Sequence, residues 1–386
     1  MISRSKSCKN SECGTGKYTI PFCSEHNTDC QLSVINYQLS NINYKGTIIF
    51  NEPMKKHTSF RVGGPAEIFV APETVDDTIK IIIWAKQKNI PCLTVGGGTN
   101  LLVKDEGIPG IVMVLTNIKE DITVERNNLD IVVTLTAGTK LQTLCHFAIK
   151  NGFAGLNFAL GIPGTVGGAI CMNAGTSIGS MEDIIHSVTV IISNGQIKEI
   201  RKEDIFFSYR QLRWADASLN DTSPVIIKCT LNLKYSGACN TGFTDLKQKD
   251  LNKNDLNQED LNLTESGQLN LKNNLKTEAD KIIKNRKKSQ PAGTYSAGCF
   301  FKNPCFGENT KMNKTAGELI DLAGLKGATI GGAKISRHHA NFIVNNGDAT
   351  ASNILALKTK VQKRVNNMFG IKLQPEVKIL GGHQNA

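Results

Sequence analysis

The sequence predicts an α+β chain of more than one domain. Three observations lead there. Short apolar runs of strand length outnumber amphipathic helical stretches, two glycine-rich loops interrupt them, and a polar low-complexity stretch sets the C-terminal part apart.

Residues 1–44 are polar, rich in Ser and Asn, and carry no sustained period, so they are expected to form a flexible extension. Their four cysteines (Cys8, Cys13, Cys23, Cys30) match no zinc spacing. Order begins near Lys45. Ala66 to Pro72 reads as a strand, and Thr74 to Lys88 as a helix with one apolar face. Pro91 to Val95 is a short buried strand that ends in Gly96-Gly97-Gly98. Gly110 to Leu115 and Ile131 to Ala137 are β-rich, and a helix from Leu141 to Lys150 stops at Asn151-Gly152. Val188 to Ile192 and Ile197 to Ile200 flank Ser193-Asn194-Gly195-Gln196, a hairpin signal, and Val225 to Leu233 is a further strand.

From Ser236 to Ala279 the chain becomes mostly Asn, Lys, Asp, Gln and Leu, with a loose Asp-Leu period too brief to bury a solenoid core. A mobile insertion is expected there, with a helix resuming over Lys276 to Lys288. Ala316 to Ala323 and the amphipathic Ser352 to Phe369 read as helices, and Asn341 to Val344 and Glu376 to Leu380 as strands. The expected division is 1–44, 45–235 (two lobes, about 45–116 and 117–235), 236–280 and 281–386.

The 386 residues carry a net charge of +11, but Lys and Arg are spread out and the densest basic run is Lys281 to Lys288. No zinc-finger or aromatic-plus-basic signature accompanies the charge, phosphorylated small molecules fit the positive balance equally well, and no nucleic-acid partner is expected. MISRSKSCKN lacks the apolar core of a signal peptide, and no run approaches the roughly 18 apolar residues of a membrane span. The 11 cysteines include no CxxC pair, as expected of free thiols in a reducing cytoplasm. Nothing in the sequence specifies an oligomeric state.

Chemistry concentrates in three places. GGGTNLLV (Gly96 to Val103) and GIPGTVGGA (Gly161 to Ala169) are loops in which backbone N–H groups can converge on an anion. Neither has the spacing of a Rossmann fingerprint or a P-loop, and each alone is equally consistent with a tight turn. Together they point to a dinucleotide bound outside the Rossmann geometry. Ser296 to Pro304, SAGCFFKNP, holds Cys299, an aromatic pair read as an apolar wall, and Lys302 and Asn303, suited to phosphate. Among these side chains only the thiol, with a free pKa of roughly 8.5, gives up a proton readily near neutrality. Tyr209-Arg210 is open to two readings, a surface pair or a clamp for a carboxylate, and Glu376 is a carboxyl expected to be partly buried, with a structural salt bridge as its equal alternative. His338-His339 share no face and are expected to make ordinary hydrogen bonds or ligand contacts, not to hold a metal.

These segments resemble the UDP-N-acetylenolpyruvoylglucosamine reductase family. The resemblance runs from about Gly46 to Gly382, through HTSFRVGGPAEIFV, GGGTNLLV, GIPGTVGGAICMNAG, FSYR, SAGCFFKNP, AGELIDLAGLKG, IGGAKISRHHANFIVN and LQPEVKILG, and looks like the family's shorter subtype. It implies a two-lobed FAD-binding domain of the vanillyl-alcohol-oxidase (PCMH) type over 45–235, then a smaller α/β substrate-binding domain. It implies FAD as bound cofactor, NADPH as hydride donor and a UDP-sugar, enolpyruvyl-UDP-GlcNAc, as the small-molecule substrate reduced in cytoplasmic peptidoglycan synthesis. The resemblance assigns FAD binding to Gly96, Gly97, Gly98, Thr99, Asn100 and Leu101, and to Gly161, Ile162, Gly164, Thr165, Gly167 and Gly168. Arg210 and Glu376 match the positions that stabilise negative charge on the substrate. Cys299 stands where the family usually has a serine proton donor, and Tyr209, Lys302 and Asn303 match substrate contacts. A related FAD-dependent alcohol oxidase and an inactive nucleotide-binding flavoprotein are the alternative readings.

Overall fold

The computed structural model describes residues 43–127, 130–235, 265–291, 293–304 and 314–382. Nearly all of the expected N-terminal extension, with its four cysteines, and residues 236–264 of the expected insertion lie outside the described residues.

The first lobe is a four-stranded sheet in the order Gly46–Pro53, Pro65–Pro72, Ile108–Val114, Cys92–Val95. The outer hairpin pair is antiparallel and the other two pairings are parallel. The helix Val75–Gln87 supplies the crossover between the parallel strands. Thr74 caps it by accepting from the Asp77 N–H, and Asp76 and Asp77 sit in its first turn, where carboxylates oppose the helix dipole. Its face with Ile81 and Trp84 is buried.

The second lobe is an antiparallel sheet in the order Ile197–Arg201, Ile185–Ile191, Val225–Tyr235, Asp130–Thr136, Thr123–Asn127. Asn194 and Gly195 form the predicted turn, with Gly195 at φ +85°. Val225–Tyr235 alternates buried and accessible positions along most of its length, as a half-buried strand should. The helix Leu141–Asn151 packs on this core and ends at Gly152 in the left-handed region.

One boundary differs from expectation. The helix read as starting near Lys276 spans Glu265–Ser289, so it begins within the stretch assigned to the insertion. Leu275 and Ala279 are buried, and Ile282 and Ile283 pack against the second-lobe core. Helical spacing of a few apolar residues therefore anchors a segment whose composition reads as low complexity.

The C-terminal part holds a three-stranded sheet (Thr329–Ile330, Ala333–Ile335, Ile343–Asn345) covered by helices Ala316–Leu322 and Ala351–Phe369. Thr315 and Thr350 start these helices with reciprocal capping boxes through Glu318 and Asn353. The core here is shared. Phe300, Leu319, Ile354 and Val361 pack with Phe60, Val62 and Leu102 of the first lobe. The last strand, Lys378–Leu380, pairs in parallel with Leu101–Val103, directly after the first glycine loop. Among the described residues no helix is long and apolar enough to cross a membrane.

Candidate active site

Three segments far apart in sequence meet at one place. The first is the hairpin Ile205–Ser208/Gln211–Trp214, whose two-residue tip is Tyr209-Arg210. Arg210 has φ +59°, a left-handed conformation that costs a non-glycine residue about 1–3 kcal/mol. A glycine would sit there without strain, so the arginine side chain is the reason for the choice. Its Nε donates to Glu376 Oε1 at 2.7 Å, Nη1 to the Asn173 carbonyl at 3.3 Å and Nη2 to the Gly175 carbonyl at 3.1 Å. The guanidinium is thus held from three directions, and each terminal nitrogen keeps one further N–H. Asn173, itself at φ +39°, is buried and fixed by bonds to Glu182 and the Ser208 carbonyl.

The second segment is LQPE. The Glu376 N–H donates to the Phe300 carbonyl, and its own carbonyl accepts from Asn100 Nδ2 at 3.2 Å. Glu376 therefore joins the first glycine loop to SAGCFFKNP, just ahead of the strand Lys378–Leu380.

SAGCFFKNP is the third. Phe300 and Phe301 are fully buried and pack with Phe60 in the shared core. This corrects the expected apolar wall. The pair anchors the segment, because two large side chains gain more from burial than from lining a polar cleft. Asn341 clamps the backbone, accepting from the Phe301 N–H at 2.9 Å and donating to its carbonyl at 2.8 Å. The same side chain lies beside the Cys299 thiol and favours its ionised form slightly. Burial pushes that thiol up to about 11, and the Glu376 charge adds to this against the opposing Arg210 and Arg286. The thiol is therefore held protonated at neutral pH.

Tyr209 lies with its hydroxyl against the backbone of Asn303, and burial, followed by the Glu376 charge, raises its pKa. The Lys302 N–H is used by the Gln374 carbonyl. Asn303 spends its side-chain oxygen on the Ala316 N–H at the start of a helix. Of the two histidines, His338 Nε2 lies 2.6 Å from the Lys288 carbonyl and His339 Nδ1 accepts from Asn341 N. Among the described residues no His, Cys, Asp and Glu cluster is arranged to hold a metal.

The two glycine loops touch. A Cβ on Gly96 would fall 2.5 Å from Thr165 Oγ1, and one on Gly97 3.0 Å from the Gly164 Cα. Thr99 Oγ1 donates to the Pro163 carbonyl at 3.2 Å. Among the described residues, the N–H groups of Gly96, Gly97, Gly98, Thr99 and Asn100 find no protein acceptor. In the second loop most are taken: Gly161 by Gln142 Oε1, Ile162 by Ala159, Gly167 by Ala137 and Gly168 by Thr165 Oγ1. Leu101 is already in its strand. Sequence reasoning missed Gln142, Asn173 and Asn341, whose work is to hold backbone, and Arg286, whose Nε is buried against Gly161. Arg286 was visible only as part of a basic run.

Residues 66–201 match the FAD binding domain model, and residues 290–380 match the UDP-N-acetylenolpyruvoylglucosamine reductase C-terminal domain model. The UDP-N-acetylenolpyruvoylglucosamine reductase of Desulfosudis oleivorans is 40% identical over 88% of this chain and 96% of its own length. That of Caldanaerobacter subterraneus is 35% identical over 89% and 97%. The crystal structure of the Thermus caldophilus enzyme superposes with a TM-score of 0.63 at 28% identity, covering 88% of this chain and all of that one. The unspent N–H donors of the first loop, facing a second loop too close for any Cβ between them, fit the pyrophosphate of FAD. The chain belongs to the UDP-N-acetylenolpyruvoylglucosamine reductase family.

Proposed function

We propose that the chain reduces enolpyruvyl-UDP-GlcNAc to UDP-N-acetylmuramate with NADPH, through bound FAD, in cytoplasmic peptidoglycan precursor synthesis. The observation that carries this reading is the convergence of Arg210, Glu376 and the protonated Cys299 thiol from three remote segments. Bound FAD would supply the hydride-transfer chemistry that links NADPH to the terminal carbon of the substrate's enolpyruvyl group.

The residues supply what remains. Hydride addition leaves negative charge on the carboxylate side of the substrate, and the free N–H groups of Arg210 are set to receive it. Because Asn173, Gly175 and Glu376 already fix the guanidinium, little reorganisation accompanies that step. Glu376 orients the arginine and balances its charge. Cys299 then gives its Sγ proton to the neighbouring carbon, and the thiolate left behind faces Arg210 and Arg286. A thiol is a stronger acid than the serine usual at this position, so the substitution keeps the proton-donor role. Gly96 to Leu101 would hold the FAD pyrophosphate, with Gly161 to Gly168 as the opposing wall. Tyr209, Lys302 and Asn303 are assigned to the substrate's diphosphate end. Residues 45–235 would form the cofactor domain and 281–386 the substrate domain.

The test is anaerobic. The purified protein is expected to be yellow, to bleach with NADPH, and to recover its colour when enolpyruvyl-UDP-GlcNAc is added. Bleaching followed by recovery with oxygen but not with the enolpyruvyl substrate would favour an oxidase. A colourless protein that binds no FAD would defeat the reading.

A further inference from the structure

Arg286 has no assigned task beyond facing the thiolate. It lies in the last turn of the helix Glu265–Ser289. In the basic run Lys281 to Lys288 every lysine is exposed, whereas Arg286 turns inward. A Cβ on Gly161 would fall 3.1 Å from Arg286 Nε and 3.2 Å from its Cδ, so the side chain rests on the second glycine loop. Gly161, at φ +77°, leaves that space open. The Nε is buried, and among the described residues it has no acceptor. A buried donor on a charged group is costly to leave unpaired, so the Nε is open to an acceptor that a bound ligand could supply. The local electrostatics agree: burial lowers the arginine's pKa, and Arg286 and Cys299 influence each other.

We propose that Arg286 is a cofactor-positioning residue that donates to an electron-rich acceptor on the flavin end of bound FAD, at the seam between the Gly161 loop and Cys299. The inference rests on the FAD reading above. The flavin end is chosen because Cys299 belongs beside the reacting carbon, while the open donors of Gly96 to Asn100 are better placed for pyrophosphate. A cation fixed there favours the electron-rich, reduced cofactor.

Arg286→Met and Arg286→Lys test this with three readouts: the melting temperature of the apoprotein, FAD affinity by fluorescence titration, and the midpoint potential of the bound flavin. The methionine variant is expected to melt no lower than wild type as apoprotein, since it loses an unpaired buried charge. It should bind FAD about 10- to 100-fold more weakly and show a more negative potential, with the lysine variant in between. Wild-type FAD affinity and potential in Arg286→Met would overturn the assignment, as would a lowered apoprotein melting temperature in both variants, which makes the residue structural. Wild-type apoprotein that takes up no FAD would defeat the cofactor reading itself, a result distinct from variants that bind as wild type does.

Discussion

The two glycine loops meet face to face but use glycine differently. Among the described residues the N–H groups of Gly96 to Asn100 find no protein acceptor, and the absent side chains let the backbone pass close to His57, Gly164 and Thr165. In Gly161 to Gly168 most N–H groups are already bonded, and glycine serves mainly close packing and positive φ. A glycine count therefore does not measure anion-binding capacity. What matters is where each N–H already goes.

Substitutions can break this contrast. Gly98→Ala should have the largest effect, because its Cβ would fall 1.8 Å from the His57 carbonyl oxygen at φ +62°. Neither partner is a side chain able to rotate away, so FAD affinity should fall by more than about 100-fold, with a loss of about 3 kcal/mol or more in stability. Gln142→Ala removes hydrogen bonds to the Ala159 and Ile162 carbonyls and from the Gly161 N–H. It should cost about 1–3 kcal/mol in denaturant unfolding, equally in apo and holo forms, and change FAD affinity by less than about tenfold. If Gln142→Ala weakened FAD as much as Gly98→Ala, the two loops would not differ in role. Thr99→Val loses only the bond to the Pro163 carbonyl and should cost about 0.5–1.5 kcal/mol.

Cys299 adds a pH dependence. Its pKa in the folded protein, about 11, lies above that of an unfolded thiol. The protonated form is favoured by folding, so this contribution to stability is complete below the unfolded pKa of about 8.5 and is lost as pH rises toward 11. Alkylation of Cys299 by iodoacetamide should accordingly be slow at pH 8 and accelerate toward pH 11. A rate at pH 8 equal to that of a free cysteine would show the thiol is not held as described.

Much of the site was legible because its residues sit in short motifs whose chemistry is local: Cys299 in SAGCFFKNP, Arg210 behind Tyr209, Glu376 behind Pro375. The strands and helices followed from apolar spacing, since each buries one face. What was not legible depends on tertiary partners. Phe300 and Phe301 look like a ligand wall until Phe60 covers them. The first turns of Glu265–Ser289 are hidden by Asn- and Lys-rich composition, while Leu275, Ala279, Ile282 and Ile283 anchor the turns that follow. Arg286 differs from its neighbouring lysines only in the direction it faces. Asn173 and Asn341 are ordinary polar residues until the backbone groups they hold are seen.

The central claim is that Cys299 delivers the proton. Its most direct test is the oxidative half-reaction in a single turnover, with NADPH-reduced enzyme mixed anaerobically with enolpyruvyl-UDP-GlcNAc. Cys299→Ala should slow flavin reoxidation by about 10²- to 10⁴-fold, while Cys299→Ser retains most of the rate. Reoxidation of Cys299→Ala at the wild-type rate, with the reduced product formed, would contradict it.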